Sequence, residues 1–292
     1  MAFLEYSPIA PLFHYTSYEA FKNILESRTF WLSDLQESND PRELNLPKQG
    51  IISALKRFDR LQIPPEGREI LRLVTFDLIR SIKMQRLYTI CFTPRRDSLT
   101  FWKEYTDKGK GLSFSIRPRA LRDMYGRIQK VSYVGNIKNT YFDTIIETQL
   151  EKLRFINSEN FEFEQRIIIT TAFLSAIYAT KHKSWKHERE VRVTFASSER
   201  NEDNKSYPLA EYPDGTIVPH RIPLTRQADE KDIEYYSISF GRYQDGEYNN
   251  SRAFDEVVVG PNCEKSVSDI DDLLRSLGYK DVVVSQSSCM FR

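Results

Sequence analysis

The pattern of apolar and polar positions marks four segments of strand or site character, separated by stretches with helical apolar spacing or polar residues. In the first segment, about 11 to 40, "TSYEAFKNIL" predicts a helix start. Thr16 followed by Glu19 is a capping-box pattern, and Phe21, Ile24 and Leu25 share one face. The apolar, β-prone "TFWLSDL" follows, then the turn signal "SNDPREL". Helical spacing from about 49 to 84, interrupted by "IPPEG", predicts two helices joined by a loop. A second segment holds "RLYTICFTP" and "FWKEYTDKGKGLSFSI", where a helix and a "KGKG" turn lead into a strand. Two more stretches of helical length fill about 141 to 180.

"SWKHEREVRVTF" predicts a third strand, whose alternation sets Glu188, Glu190 and Arg192 on one face and Val191 and Val193 on the other. Residues 201 to 248 are polar and turn-rich, with short strand candidates in "TIVPHRIPL" and "YYSISFG". The end reads strand, helix, strand. With no internal repeat, low-complexity tract or clear linker, the pattern predicts one α+β domain over residues 1–292. Its core is a mixed or split β-sheet, with helical insertions at about 49–84 and 141–180.

Composition narrows the function classes. Of 292 residues 40% are hydrophobic, enough for a sizeable core. Lys and Arg number 42 against 41 Asp and Glu, so the net charge of +1 predicts no general attraction to phosphate backbones or anionic membranes. The nearly apolar run "IIITTAFLSAIYAT" is broken by hydroxyls and is shorter than the roughly 20 residues of a membrane span. "MAFLEYSPIAPLF" lacks the features of a secretory signal. Cys91, Cys263 and Cys289 are widely spaced and odd in number, which fits a reducing compartment; a bacterial cytoplasm is the expected location.

Three places could carry chemistry. His14 sits in or just after a short strand and before the predicted helix. Taken alone it reads first as a satisfied, half-buried polar group. The four histidines, at 14, 182, 187 and 220, show no paired Cys or His spacing, so no metal is expected and a hydrogen-bonding role is the functional alternative. Trp102 and Tyr105 share a helical face, as core residues or as a platform for a planar ring. Glu188, Glu190 and Arg192 form either an exposed ladder or a half-buried polar face in which Arg192 keeps a neighbouring carboxylate ionised. Such a carboxylate can hold a ribose hydroxyl and stabilise positive charge developing on a sugar carbon.

The blocks "LFHYTSYEAFKNILESRTFWLS", "SNDPREL", "FWKEYTDKGKGLSFSI", "WKHEREVRV" and "DVVVSQSS" resemble, in this order, a large bacterial family catalogued as a domain of unknown function. The first and fourth also resemble ADP-ribosyltransferases of the histidine-containing type. That resemblance implies a split-sheet fold and NAD as substrate. His14, Tyr15 and Thr16 would take the ribose-binding role of the first strand, and Tyr105 or Trp102 would stack on the nicotinamide. Glu190 would be the catalytic carboxylate, Glu188 would orient the acceptor, and Arg192 would join the residues that bind the cofactor. It further implies transfer of ADP-ribose to a protein or nucleic acid, or NAD hydrolysis, in phage defence or as a toxin. The competing expectations are a non-catalytic module binding a nucleotide or a partner protein, and a metal-dependent nuclease using Asp40, Glu188 and Glu190.

Overall fold

The computed structural model describes residues 4–290 apart from 39, 41, 59–64, 125, 154–161, 199–209, 212–216, 219–223, 229–230, 241, 245–246 and 250. His220 therefore lies outside the described residues. The chain begins with β1 (Leu12–Thr16), α1 (Tyr18–Ser27) and β2 (Thr29–Asp34), followed by a 3₁₀ turn, Leu35–Glu37. The cap of α1 is Ser17 and not Thr16: Thr16 is still paired with Leu112 as strand, so the chain turns one residue later. The Ser17 hydroxyl then accepts from Ala20 N at 3.2 Å. Such a cap contributes about 1 kcal/mol. Phe21, Ile24 and Leu25 are buried on one face, as the spacing predicts.

Next come α2 (Asn45–Phe58), α3 (Pro65–Met84) and β3 (Gln85–Phe92). They lead to α4 (Leu99–Tyr105), β4 (Leu112–Ile116), α5 (Pro118–Arg122), β5 (Arg127–Lys130) and β6 (Ser132–Val134). The second helical block is α6 (Thr140–Leu153) and α7 (Glu162–Tyr178); it stops short of residue 180, because Thr180–His182 form the short strand β7. A 3₁₀ turn, Lys183–Glu188, replaces the first half of the predicted third strand, and β8 is Val191–Ser198. Short pairs β9 (Ala210–Glu211) with β10 (Ile217–Val218), and β13 (Arg242–Gln244) with β14 (Glu247–Asn249), flank β11 (Leu224–Ala228) and β12 (Lys231–Ser239). The chain closes with β15 (Phe254–Val259), α8 (Val267–Ser276) and β16 (Val283–Gln286), the predicted strand, helix, strand.

These elements make an α+β fold around two principal sheets. One runs β1-β4-β15-β16; its central strand β4 is buried at all five positions, and its two serines are satisfied by the Arg96 carbonyl and the Glu256 amide. The other is antiparallel, in the order β11-β12-β2-β3-β8-β5. The two meet at a seam where Phe13 and Thr93 exchange backbone hydrogen bonds of 2.7 and 2.8 Å. Beyond the seam Phe30 of β2 packs against Phe92 and Phe114, tying one sheet to the other through a core of aromatic rings. The helices α2, α3, α6 and α7 form a second core with Leu87 and Val134, so the two helical insertions of the sequence are one packed layer. Gly111 permits the close approach of β1 and the turn before β4, since a Cβ there would collide with the Thr16 carbonyl. No helix among the described residues is long and apolar enough to cross a membrane.

Candidate functional site

A cavity of about 670 Å³ opens beside the seam, a size that suits a small organic ligand. Its walls come from β1, the first turns of α1, β2, β3, α4 and the segment from Lys181 to Glu190. His14 is the first residue of β1 past the seam. Its ring packs between Phe92 and Phe114, and Nδ1 lies 2.8 Å from the Cys91 carbonyl. A carbonyl only accepts, so Nδ1 carries the proton and Nε2 keeps a lone pair. Burial lowers the imidazole pKa despite that hydrogen bond, which keeps His14 neutral at pH 7. A ribose hydroxyl could donate to such a nitrogen.

Thr93 links this strand to the acidic pair. Its backbone holds Phe13, and its hydroxyl donates to the Glu188 carbonyl at 2.7 Å. Glu188 ends the 3₁₀ turn, Arg189 is left-handed (φ 47°), and Glu190 stands just before β8. Strand alternation thus explains why Glu190 and Arg192 are neighbours, whereas Glu188 reaches the same cavity through a tight turn. Both glutamates are buried, and both line the cavity.

The acidic pair belongs to a cluster of five buried charges. Arg192, 1% exposed, holds both oxygens of Glu190, binds Glu43 and donates to the Tyr178 carbonyl at 2.9 Å. Lys181 Nζ lies 2.8 Å from Glu188, 3.3 Å from Glu190 and 3.5 Å from Glu43. It also sits 4.8 Å from the centre of the Trp185 ring. Three carboxylates face two cations, so the fully ionised cluster carries one net negative charge. The two glutamates are driven apart. Burial and the charge of Glu190 raise the Glu188 pKa, whereas for Glu190 burial is outweighed by Arg192 and Lys181, leaving it well below the usual carboxylate range. Tyr105 donates to Glu188 and, held by burial and that carboxylate, titrates well above an ordinary tyrosine. Desolvation and the charge of Glu190 push up the thiol of Cys91, an exposed residue on the cavity wall.

The depressed Glu190 has a consequence in acid. A carboxyl whose folded pKa lies below its unfolded value near 4.5 stabilises the fold above that pH and loses the contribution as pH falls through the depressed value. The urea midpoint of the wild type should therefore fall more steeply below about pH 4.5 than that of Glu190→Gln. Parallel curves for the two proteins would contradict the assignment.

Of the residues singled out in the sequence, His14, Tyr15, Thr16, Tyr105, Glu188 and Glu190 line this cavity. Trp102 does not: it is fully buried and donates to Asp97 at 2.6 Å, in a cluster that also fastens Ser287 and Ser288 near the end of the chain. Arg192 lies beneath Glu190 and lines no part of it. Asp40 is buried away from the cavity and accepts from the Arg42 amide. Among the described residues no group of three or more His, Cys, Asp or Glu could hold a metal ion. Sequence reasoning missed Glu43, Lys181 and Cys91. Glu43 lay inside "NDPREL", read as a turn and as a block of the family resemblance but not as part of the site, and a lysine directly after the apolar run of α7 was the available signal for Lys181.

Comparison with curated proteins finds no match, and comparison with solved structures finds none either. Residues 101–193, which carry Tyr105, Lys181, Glu188, Glu190 and Arg192 but neither His14 nor Glu43, match the model of a family described as "Protein of unknown function (DUF2971)".

Proposed function

We propose that this protein cleaves the nicotinamide glycosidic bond of NAD, hydrolysing it or transferring ADP-ribose to a protein or nucleic acid. The observation that carries the reading is the convergence of a neutral His14 with Glu188 and Glu190 on one cavity, through the Phe13–Thr93 seam and the Thr93 hydroxyl. Cleavage of this bond needs a bound, oriented sugar and fixed negative charge where positive charge develops on the sugar carbon. His14 Nε2 accepts from a ribose hydroxyl, and ionised Glu190 holds the nicotinamide ribose and faces the developing charge. Glu188, with its raised pKa, takes the proton of the attacking water or acceptor hydroxyl. Tyr105, bonded to Glu188, is an aromatic of the cavity wall that touches the acidic pair.

The test is release of nicotinamide when the protein is incubated with NAD, with and without candidate acceptors. Tyr105→Phe should slow the reaction about tenfold, the effect of losing one hydrogen bond to a charged partner. NAD left intact under all conditions favours a non-catalytic nucleotide-binding module instead.

A further inference from the structure

The cavity extends along the six-stranded sheet, away from the glutamates, to Arg226 on β11. Directly paired residues project to one face of a sheet, so the pairs Arg226–Ile233 and Tyr235–Ser33 put Arg226, Ser33 and Trp31 on the same face. Arg226 and Lys181 are the cationic side chains that line the cavity. They differ in one respect. Lys181 is committed to Glu43, Glu188 and Glu190, whereas Arg226 has no carboxylate partner among the described residues. Its one hydrogen bond there is a long one of 3.4 Å from Nη2 to Ser33 Oγ, and its Nε is buried without an acceptor. The nearby Asp34 is already engaged, accepting from Gln36 N at 2.9 Å and pairing with Arg86. A buried guanidinium N–H with no acceptor is costly, and an anion entering the cavity would supply one.

We infer that Arg226 and Ser33 form the diphosphate subsite of this cavity, and that Trp31 receives the attached base. The inference rests on the nucleotide reading given above and names the part of the ligand that each end of the cavity takes. Contact with Ser33 puts the guanidinium over β2, two strand spacings from β8 and so about 10 Å from it laterally, a separation that a ribose and its 5′-phosphate can bridge. A planar fork of N–H groups matches phosphate oxygens better than an ammonium does. Trp31, 38% exposed, has its ring 4.6 Å from that of Tyr235, which braces it while it lines the cavity.

Calorimetric titration of the full chain with ADP, ADP-ribose and adenosine tests the inference. The wild type should bind ADP and ADP-ribose more tightly than adenosine. Arg226→Ala should weaken ADP and ADP-ribose about 10- to 100-fold and leave adenosine unchanged, Arg226→Lys should recover part of the loss, and Trp31→Ala should weaken all three. Equal ADP affinity in the wild type and Arg226→Ala, or no binding of ADP by the wild type, overturns the subsite. The two proposals fail separately. Arg226-dependent ADP binding without nicotinamide release removes the NAD-cleaving reading alone, and nicotinamide release with an unchanged KM in Arg226→Ala removes the subsite alone.

Discussion

Arg192→Met is expected to cost about 3–5 kcal/mol of folding stability, read as a lowered urea midpoint, because it leaves buried carboxylates short of their partner. Arg192 is 1% exposed and holds both oxygens of Glu190 as well as Glu43. Without it Lys181 alone would face three carboxylates. One or more of these would have to take up a proton or draw water into the core. A domain is commonly stable by only about 5–15 kcal/mol, so the variant should be marginal at physiological temperature. Arg192→Lys should rescue little, since one ammonium cannot reproduce the two-pronged contact with Glu190 and also reach Glu43 and the Tyr178 carbonyl. A loss below about 1 kcal/mol for Arg192→Met would mean that the cluster is not ionised as described.

Glu190→Gln should reduce nicotinamide release about 10²- to 10³-fold, the scale on which one preorganised electrostatic group acts on a transition state. The amide keeps the shape and removes the charge, so the loss should fall on kcat more than on KM. Glu188→Gln tests the other carboxylate. Since Glu188 takes the proton of the attacking water or acceptor hydroxyl, its amide should slow NAD hydrolysis and transfer to a macromolecule alike. Wild-type rates should rise with pH through the raised Glu188 pKa, since the ionised form is the proton acceptor, and that limb should vanish in Glu188→Gln. Full activity in both variants, with both folded, would place the chemistry elsewhere.

Much of the local structure was legible in the sequence. Helical apolar spacing marked α1 and the helical blocks, because one buried face forces that spacing where a helix packs on a core, and β-prone residues marked β2; β4, buried at all five positions, was legible from the turn before it. Legibility failed where the backbone left the regular patterns. Ser17 caps α1 since strand pairing held Thr16, and a left-handed Arg189 put Glu188 on a turn and not on the strand. Trp102 and Tyr105 share a helix, yet the first is fixed in the core by Asp97 and the second faces the cavity, a division that depends on what packs against each side of the helix.

By itself the sequence determined an α+β chain, near neutral in charge, with an imidazole at one end of its order and an acidic pair with an arginine far along it. Local side-chain periodicity and composition carry that information. The tertiary structure alone decided that Thr93 would hold both ends together, that Glu43 and Lys181 would complete a buried charge cluster, and that Arg226 would keep an unanswered N–H at the far end of the cavity. Those groups are separated by tens to more than a hundred residues. Their mutual electrostatics arise only when the two sheets meet, and no local pattern records a contact between strands so distant in the chain.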